Sequence, residues 1–203
     1  MNTDLRTIIF AAILGLACSV VLVGVTRFTA PYREANAKAE EVRNLLSALN
    51  VAADLESDAE ALTDIYNRDV RIREEGDLTY YDYVPGGTGA AVAVGVFFTG
   101  MGLWGPIGGV LALEPNLRTI RGIRFYQQEE TPGLGGEIGA AWFRDQFVGK
   151  QIVSSTGQPG FKILKPGSAA DDNAVDGISG ATMTSDKVQA ILDALAKRLQ
   201  GGQ

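Results

Sequence analysis

The chain has 203 residues, of which 46% are hydrophobic and 21% charged, so it can build a core and is not intrinsically disordered. Its net charge of −6 argues against a duplex-binding protein, whose affinity depends on neutralising phosphates. The chain has no histidine and one cysteine, Cys18, which excludes Ser-His-Asp triads, His-ligated haem, His-containing zinc sites, internal disulfides and iron–sulfur clusters. Any redox role therefore requires a bound organic cofactor.

An uncharged apolar run occupies residues 7–26, after a short tail at residues 1–6. At about 1.5 Å per residue, a helix of this length matches the ~30 Å hydrocarbon core of a bilayer, so we predict one transmembrane helix. A cleaved signal peptide is the alternative, but the run exceeds the ~7–15 residues of a signal h-region and lacks an A-x-A site. Acylation of Cys18 is disfavoured because the apolar run continues beyond it.

Basic residues flank both ends of this predicted span. Arg6 precedes it, whereas Arg27, Arg33 and Lys38 follow it. Taken alone, the positive-inside rule places the C-terminal side in the cytoplasm, but the rule carries little weight when a long domain follows. Sequence physics therefore leaves the orientation open.

The region 27–77 is predicted to contain an amphipathic helix and a connecting segment. Helix-forming residues fill 32–50, with apolar residues at helical spacing. The polar stretch 54–75 predicts a helix followed by a strand, because a short apolar alternation begins at Val70.

A different pattern begins at residue 78, where we place the start of a second domain, 78–203. Runs rich in β-branched and aromatic residues are separated by Gly/Pro-rich turns and predict a mainly antiparallel sheet; they lie at 78–84, 90–99, 107–113 and 119–127. The connections are too short for crossover helices, which argues against a doubly wound parallel sheet.

Flanking helices and one further strand are predicted after the sheet. A short helix is expected at 140–147 and a strand at 161–165. The last helix is predicted over 186–199, with Thr184, Ser185 or Asp186 as its N-cap.

A first glycine-rich motif, GMGLWG, spans residues 100–105 and formally fits the dinucleotide fingerprint G-x-G-x-x-G. The context is wrong for that fingerprint, because Pro106 and a β-like run follow where a helix must begin. We predict a strand-to-strand loop with an exposed Trp104. Two interpretations of this loop are open. It is an ordinary hairpin connection, or it lets the backbone approach a flat ligand with Leu103 or Trp104 against it.

A second motif, ETPGLGG, spans residues 130–136. Pro132 restricts the backbone at one position, whereas the three glycines free it at the next. Such a loop can present a concave set of N–H groups to an anion or a ring carbonyl. The sequence itself does not distinguish this arrangement from an ordinary turn.

A third motif, DGISGATMTS, spans residues 176–185 directly before the last helix. Its small and hydroxyl residues suit an N-cap. A helix N-terminus also gathers unpaired N–H groups and the positive end of the helix dipole, which together stabilise a phosphate. A hydroxyl at this place can bind a phosphate or be joined to one.

The sequence SGATMT at 179–184 resembles the flavinylation motif S-G-A-T-x-T of the FMN-binding domain family, whose last threonine, here Thr184, is esterified to the FMN phosphate. The two glycine motifs also resemble this family, in the same order, and are followed by Trp142 and FVGK at 147–150. Within the family, the chain is similar to the C subunit of Na⁺-translocating NADH:quinone oxidoreductases or the related G subunit of Rnf complexes.

This resemblance implies an α+β fold with an N-terminal transmembrane helix, followed by a mainly antiparallel-sheet FMN-binding domain with flanking helices. It implies covalent FMN and electron relay within an ion-translocating oxidoreductase complex, with no catalytic side chain or metal of its own. The implied partners are the other membrane subunits and, during maturation, a flavin transferase. The implied location is the cytoplasmic membrane, with the FMN domain on the periplasmic side.

The resemblance also implies a set of cofactor-binding residues. They lie in the three motifs, with the covalent bond at Thr184: Ser179, Gly180, Ala181, Thr182, Gly102, Leu103, Trp104, Glu130, Thr131, Gly133, Leu134 and Gly135. For Glu130, contact with a ribityl hydroxyl is one option.

Two other functions stay open at this point. An anchored module could hold an anion or extracellular ligand non-covalently at the same helix terminus. A structural subunit without a cofactor is the third option, but it leaves the glycine motifs unexplained.

Overall fold

The computed structural model describes residues 3–51 and 59–201. The chain divides into two compact units, Met1–Glu41 and Val42–Gln203. The predicted span and the predicted amphipathic helix after it form one continuous helix, α1 (Thr3–Ala48). Helix-forming residues continue on both sides of Pro31, and no glycine ends the helix there. Within the described residues, this is the one helix long and apolar enough to cross a membrane.

The last turns of α1 belong to the second unit, where they are buried as the apolar spacing predicts. Leu45 and Leu46, and Leu49 directly after the helix, are among the largest fully buried side chains. Next come α2 (Ala59–Asp69) and β1 (Val70–Glu75), which confirm the predicted order of helix and strand. The part of that prediction at residues 54–58 lies outside the described residues.

The second unit is built on a five-stranded antiparallel sheet in sequential order, β1-β2-β3-β4-β5. After β1, the strands are β2 (Leu78–Tyr83), β3 (Ala93–Met101), β4 (Pro106–Leu113) and β5 (Ile120–Gln127). The prediction of a mainly antiparallel sheet is confirmed. Residue 78, where the sequence analysis starts the domain, lies after β1, which pairs along its length with β2.

The two faces of the sheet pack against different helices. Alternation along the strands sends Tyr80 and Val96 into the larger core with Leu192 of the last helix. Tyr81 and Phe97 point the other way, into a smaller cluster with Leu45 and other residues near the end of α1. This places the sheet between helices in an α+β arrangement.

The C-terminal part differs from its prediction in detail. The helix expected at 140–147 is a single turn, α3 (Ala141–Arg144), continued by a 3₁₀ turn (Asp145–Phe147). The strand expected at 161–165 is present as β6 (Lys162–Leu164). It pairs in parallel with β7 (Ala174–Asp176), which the sequence analysis missed.

The last helix, α4 (Thr182–Gly201), begins four residues earlier than predicted. The turn that precedes it contains Gly180 at φ 77°, a conformation that favours glycine. The Ser185 N–H already donates to the Ala181 carbonyl. Thr184, Ser185 and Asp186 therefore lie inside the helix, and their assignment as N-caps is wrong.

Candidate functional site

The three glycine-rich motifs meet at one pocket of about 240 Å³ in the second unit. The β3–β4 loop, the loop after β5 and the start of α4 all contribute to it. The lining residues are Leu103, Trp104, Glu130, Thr131, Leu134, Gly135, Gly180, Ala181, Thr182, Met183 and Thr184. Motifs far apart in sequence therefore form one site.

The carboxylate of Glu130, in the second motif, forms hydrogen bonds with residues of both the first and the third motif. Its Oε1 accepts hydrogen bonds from the backbone N–H groups of Leu103 (2.7 Å) and Trp104 (3.2 Å). Its Oε2 accepts a 2.6 Å hydrogen bond from the Thr184 hydroxyl. Glu130 is 5% exposed and Thr184 2% exposed, so this junction is buried. Both residues lie in the sequence motifs, but the motifs contain no sign that the two side chains pair.

Two glycines are required by the close packing around this carboxylate. A Cβ on Gly102 would lie 2.5 Å from Glu130 Oε1, and one on Gly135 would lie 2.4 Å from Thr184 Oγ1. Neither position has a positive φ, so the need for glycine is steric. The loops carry glycine here because their backbones pass directly beside the Glu130–Thr184 pair.

The first turn of α4 presents one buried and one exposed pair of side chains. Thr184 and Ser185 are buried, and the Ser185 Oγ accepts a 3.3 Å hydrogen bond from the Ile178 N–H. Thr182 and Met183 are exposed and line the pocket. Because the first N–H groups of a helix have no partner within the helix, this end of the pocket suits a phosphate.

Asp176, the last residue of β7 and the first of the third motif, holds the loop at residues 168–169 beside this strand. Its Oδ1 accepts hydrogen bonds from the N–H groups of Ala169 and Ser168, both at 2.9 Å. These backbone donors, led by Ala169, hold the pKa of the Asp176 carboxyl below its usual value. Asp176 thus positions the segment without lining the pocket.

Apolar side chains form the rim of the pocket. Trp104 is 69% exposed and Met183 60% exposed, and Leu103 and Leu134 are also exposed. The strand-to-strand loop with an exposed Trp104 is present as predicted. An apolar rim beside a polar helix terminus fits a ligand with a flat ring at one end and a phosphate at the other.

The other predicted site residues take supporting positions. Gly102 packs directly against the Glu130 carboxylate and does not line the pocket. Ser179 and Gly133 are in turns and do not line the pocket either. Gly133 has φ +74° with open space around it, so its role is conformational. Met183 lines the pocket but was not predicted, because it is the variable position of its motif. Within residues 3–51 and 59–201, no group of three or more His, Cys, Asp or Glu could hold a metal ion.

Residues 102–197 match the family described as FMN-binding domain. This stretch is therefore similar to FMN-binding domains. The match begins in the β3–β4 loop and ends within α4, so it includes all the residues that line the pocket. The pocket therefore lies wholly within the stretch that is similar to FMN-binding domains.

Curated relatives point to one kind of protein. A stretch of 119 residues, 58% of this chain, is 40% identical to the C subunit of the Na(+)-translocating NADH-quinone reductase of Yersinia pestis. Another comparison, over 95 residues, gives 45% identity to the protein of the same name from Vibrio anguillarum. These stretches span 45% and 37% of the two relatives, so the chain matches less than half of either one.

Solved structures share the fold. The crystal structure of the C subunit of the Na(+)-translocating NADH-quinone reductase from Parabacteroides distasonis aligns with a TM-score of 0.69 and 27% identity, covering 84% of this chain and 94% of that one. NqrC of Shewanella oneidensis aligns with a TM-score of 0.67 over 82% of this chain and 99% of that one; at 23% identity it supports the fold alone.

Proposed function

We propose that this chain is the FMN-carrying, electron-transferring subunit of a membrane-bound NADH:quinone oxidoreductase or Rnf-type complex. The observation that carries the proposal is the pocket itself, where the three motifs of an FMN-binding domain converge on Glu130 and Thr184. The names of the relatives and the shared fold support the same assignment. The chain acts as one subunit of a larger enzyme.

The flavin is proposed to be bound covalently, through a phosphoester at Thr184. The pocket is smaller than the ~300–1,000 Å³ typical of sites that enclose their ligand, so FMN would remain partly exposed. A covalent link keeps such a ligand in place without depending on a binding equilibrium. When bound, FMN supplies the one- and two-electron redox chemistry that the side chains of this chain lack.

Different parts of the pocket are proposed to hold different parts of the cofactor. N–H groups at the start of α4 would bind phosphate oxygens. Leu103, Trp104 and Leu134 would pack against the ring, whereas the Leu103 and Trp104 N–H groups already donate to Glu130. Glu130 is engaged by Leu103, Trp104 and Thr184, which disfavours a primary role in binding a ribityl hydroxyl.

The N-terminal helix is proposed to anchor the chain as a single pass in the cytoplasmic membrane, with the FMN domain on the periplasmic side. The exposed apolar run of α1 supports an anchor. The periplasmic side follows from the family resemblance and runs against the simple count of flanking basic residues. The proposed partners are the other membrane subunits and a flavin transferase.

The chain is proposed to relay electrons and not to oxidise NADH itself. Its sheet is antiparallel, and residues 100–105 connect two strands of a hairpin, so the G-x-G-x-x-G match is no nicotinamide site. Rapid mixing of the flavin-loaded full chain with NADH tests this role. No bleaching of flavin absorbance is expected without other subunits, and rapid bleaching would show an independent dehydrogenase.

A non-covalent ligand-binding module is the second candidate, because the pocket is open and its helix terminus suits any phosphate ligand. Denaturing gel electrophoresis separates the two functions. Flavin fluorescence that stays with the polypeptide supports the proposed subunit. Flavin released completely by the detergent, from cells that contain the transferase, supports the alternative.

A further inference from the structure

We infer that Glu130 is the proton acceptor that activates the Thr184 hydroxyl for phosphoester formation. This inference rests on the proposed covalent attachment at Thr184 and goes beyond it. It assigns a chemical role in maturation to a residue that the family resemblance implies only as a cofactor contact.

The hydrogen-bond geometry around Glu130 separates its two oxygens. Oε1 accepts two backbone N–H groups, which fix the carboxylate in position. Oε2 faces Thr184 Oγ1 at 2.6 Å, a short distance typical of a hydroxyl that donates to an ionised carboxylate. Because the hydroxyl hydrogen is directed at Oε2, the lone pairs of Oγ1 are available in other directions, and Thr184 lines the pocket.

The residues that line the pocket favour Glu130 as the group that accepts the Thr184 proton. A threonine hydroxyl is a weak nucleophile unless a neighbouring base removes its proton. Among the residues that line the pocket, Glu130 is the one titratable side chain. Thr182 also lines the pocket, but no hydrogen bond to a carboxylate is found for it in the described structure. The arrangement therefore distinguishes Thr184 from the other threonine of the motif.

Formation of the Thr184 phosphoester needs a flavin donor whose phosphate already bears a leaving group, and a flavin dinucleotide is such a donor. Thr184 Oγ1 forms a bond to the phosphorus on the flavin side of a flavin dinucleotide, and its proton passes to Glu130 Oε2. The phosphoanhydride bond of the donor breaks, and a nucleoside monophosphate leaves with the bonding electrons. No oxidant or reductant is consumed.

The decisive variant is Glu130→Gln, which has nearly the same shape. The glutamine oxygen can accept the Leu103 and Trp104 N–H groups, and its amide can donate to Thr184 Oγ1, but it cannot take a proton. A purely structural role predicts normal attachment in a folded Glu130→Gln chain. A proton acceptor predicts a slower chemical step, by about 10²- to 10⁴-fold for general base catalysis.

The experiment follows the intact mass of the full chain in detergent, with a saturating flavin transferase and flavin dinucleotide. Glu129→Gln is the matched control, because Glu129 is the exposed neighbour and does not line the pocket. The expected result is rapid loading of the wild type and of Glu129→Gln, with loading of Glu130→Gln slowed at least a hundredfold. A Glu130→Gln chain with an unchanged melting temperature that loads at the wild-type rate would overturn the inference.

A second comparison covers the case in which Glu130→Gln loses stability. Glu130→Asp keeps a carboxylate, whereas Glu130→Ala removes it, and Glu130→Asp is expected to load faster. Equal rates in two chains of equal melting temperature contradict the inference. Failure of the proposed function looks different, because the wild type itself would then gain no mass or Thr184→Ala would still be loaded.

Discussion

Gly135 and Thr184 lie so close that a single methyl group at residue 135 would collide with the threonine hydroxyl. The added Cβ would be 2.4 Å from Thr184 Oγ1 and 2.9 Å from Glu130 Oε2. The second glycine-rich loop therefore fixes the position of the residue proposed to carry the flavin.

Gly135→Ala is expected to displace Thr184 or Glu130, to lower the free energy of unfolding by about 1–3 kcal/mol and to reduce covalent flavin strongly. Gly139→Ala is the matched control, because its Cβ would meet nothing within 4 Å. Thermal unfolding and in-gel flavin fluorescence measure the two effects. Equal unfolding temperatures and equal flavin fluorescence in the two variants would show that neither stability nor flavin attachment depends on the close packing at Gly135.

Thr184→Ala is expected to destabilise the protein even before any flavin is attached. The substitution leaves Glu130 Oε2 buried without its hydroxyl donor, which costs about 1–3 kcal/mol. Thr182→Ala removes an exposed hydroxyl and is expected to leave the unfolding temperature nearly unchanged. Thermal unfolding of the flavin-free full chains in detergent compares them, and a larger loss in Thr182→Ala would contradict this account.

Acid is expected to weaken the N-terminal side of the sheet through Asp69. This residue is 3% exposed and accepts hydrogen bonds from both Arg68 Nε (2.7 Å) and the Gly86 N–H (3.1 Å). The Arg68 hydrogen bond lowers the pKa of the Asp69 carboxyl below its usual value. Because the folded-state pKa is lower than the unfolded one, the stabilisation is complete above the unfolded pKa of about 3.9 and is lost as pH falls through the folded pKa.

The measurement is the unfolding temperature between about pH 6 and pH 2. Asp69→Asn is expected to be less stable than the wild type at pH 6, with the difference shrinking as the pH falls. Asp64→Asn is the control, because Asp64 is an exposed carboxylate on the same helix. A difference between Asp69→Asn and the wild type that is independent of pH would contradict the assigned role of Asp69.

The full chain is expected to stay with membranes after a carbonate wash, because the apolar part of α1 is long enough to span a bilayer. N-terminal sequencing of the membrane-bound protein checks that the run is retained. Recovery in the soluble fraction, or a mature N-terminus beyond Val20, would show that the run is a cleaved signal.

Local patterns in the sequence predicted most of the fold. β2 to β5 have β-branched and aromatic runs between glycine-rich turns, and their positions were recovered within a few residues. β7 was not predicted because a strand of three residues is too short to show an alternation of apolar and polar side chains. The early start of α4 was missed because Ala181 and Thr182 give no capping signal, while the turn at Gly180 sets the helix start.

The site was predictable as a set of motifs but not as a structure. The motifs identified both Glu130 and Thr184, whereas their hydrogen bond joins residues 54 positions apart and depends on how α4 packs against the sheet. Spacing along the chain contains no signal for such a contact. The steric need for Gly102 and Gly135 is likewise visible only once the Glu130 carboxylate has been placed between the loops.

The most direct test of the central claim is fragment mass spectrometry of the tryptic peptide that ends at Lys187, from full chain produced in cells with a flavin transferase. The account predicts an added mass equal to FMN less one water, located on Thr184 and absent from Thr184→Ala. An unmodified peptide from fully processed protein, or the same mass located on Thr182, would contradict it.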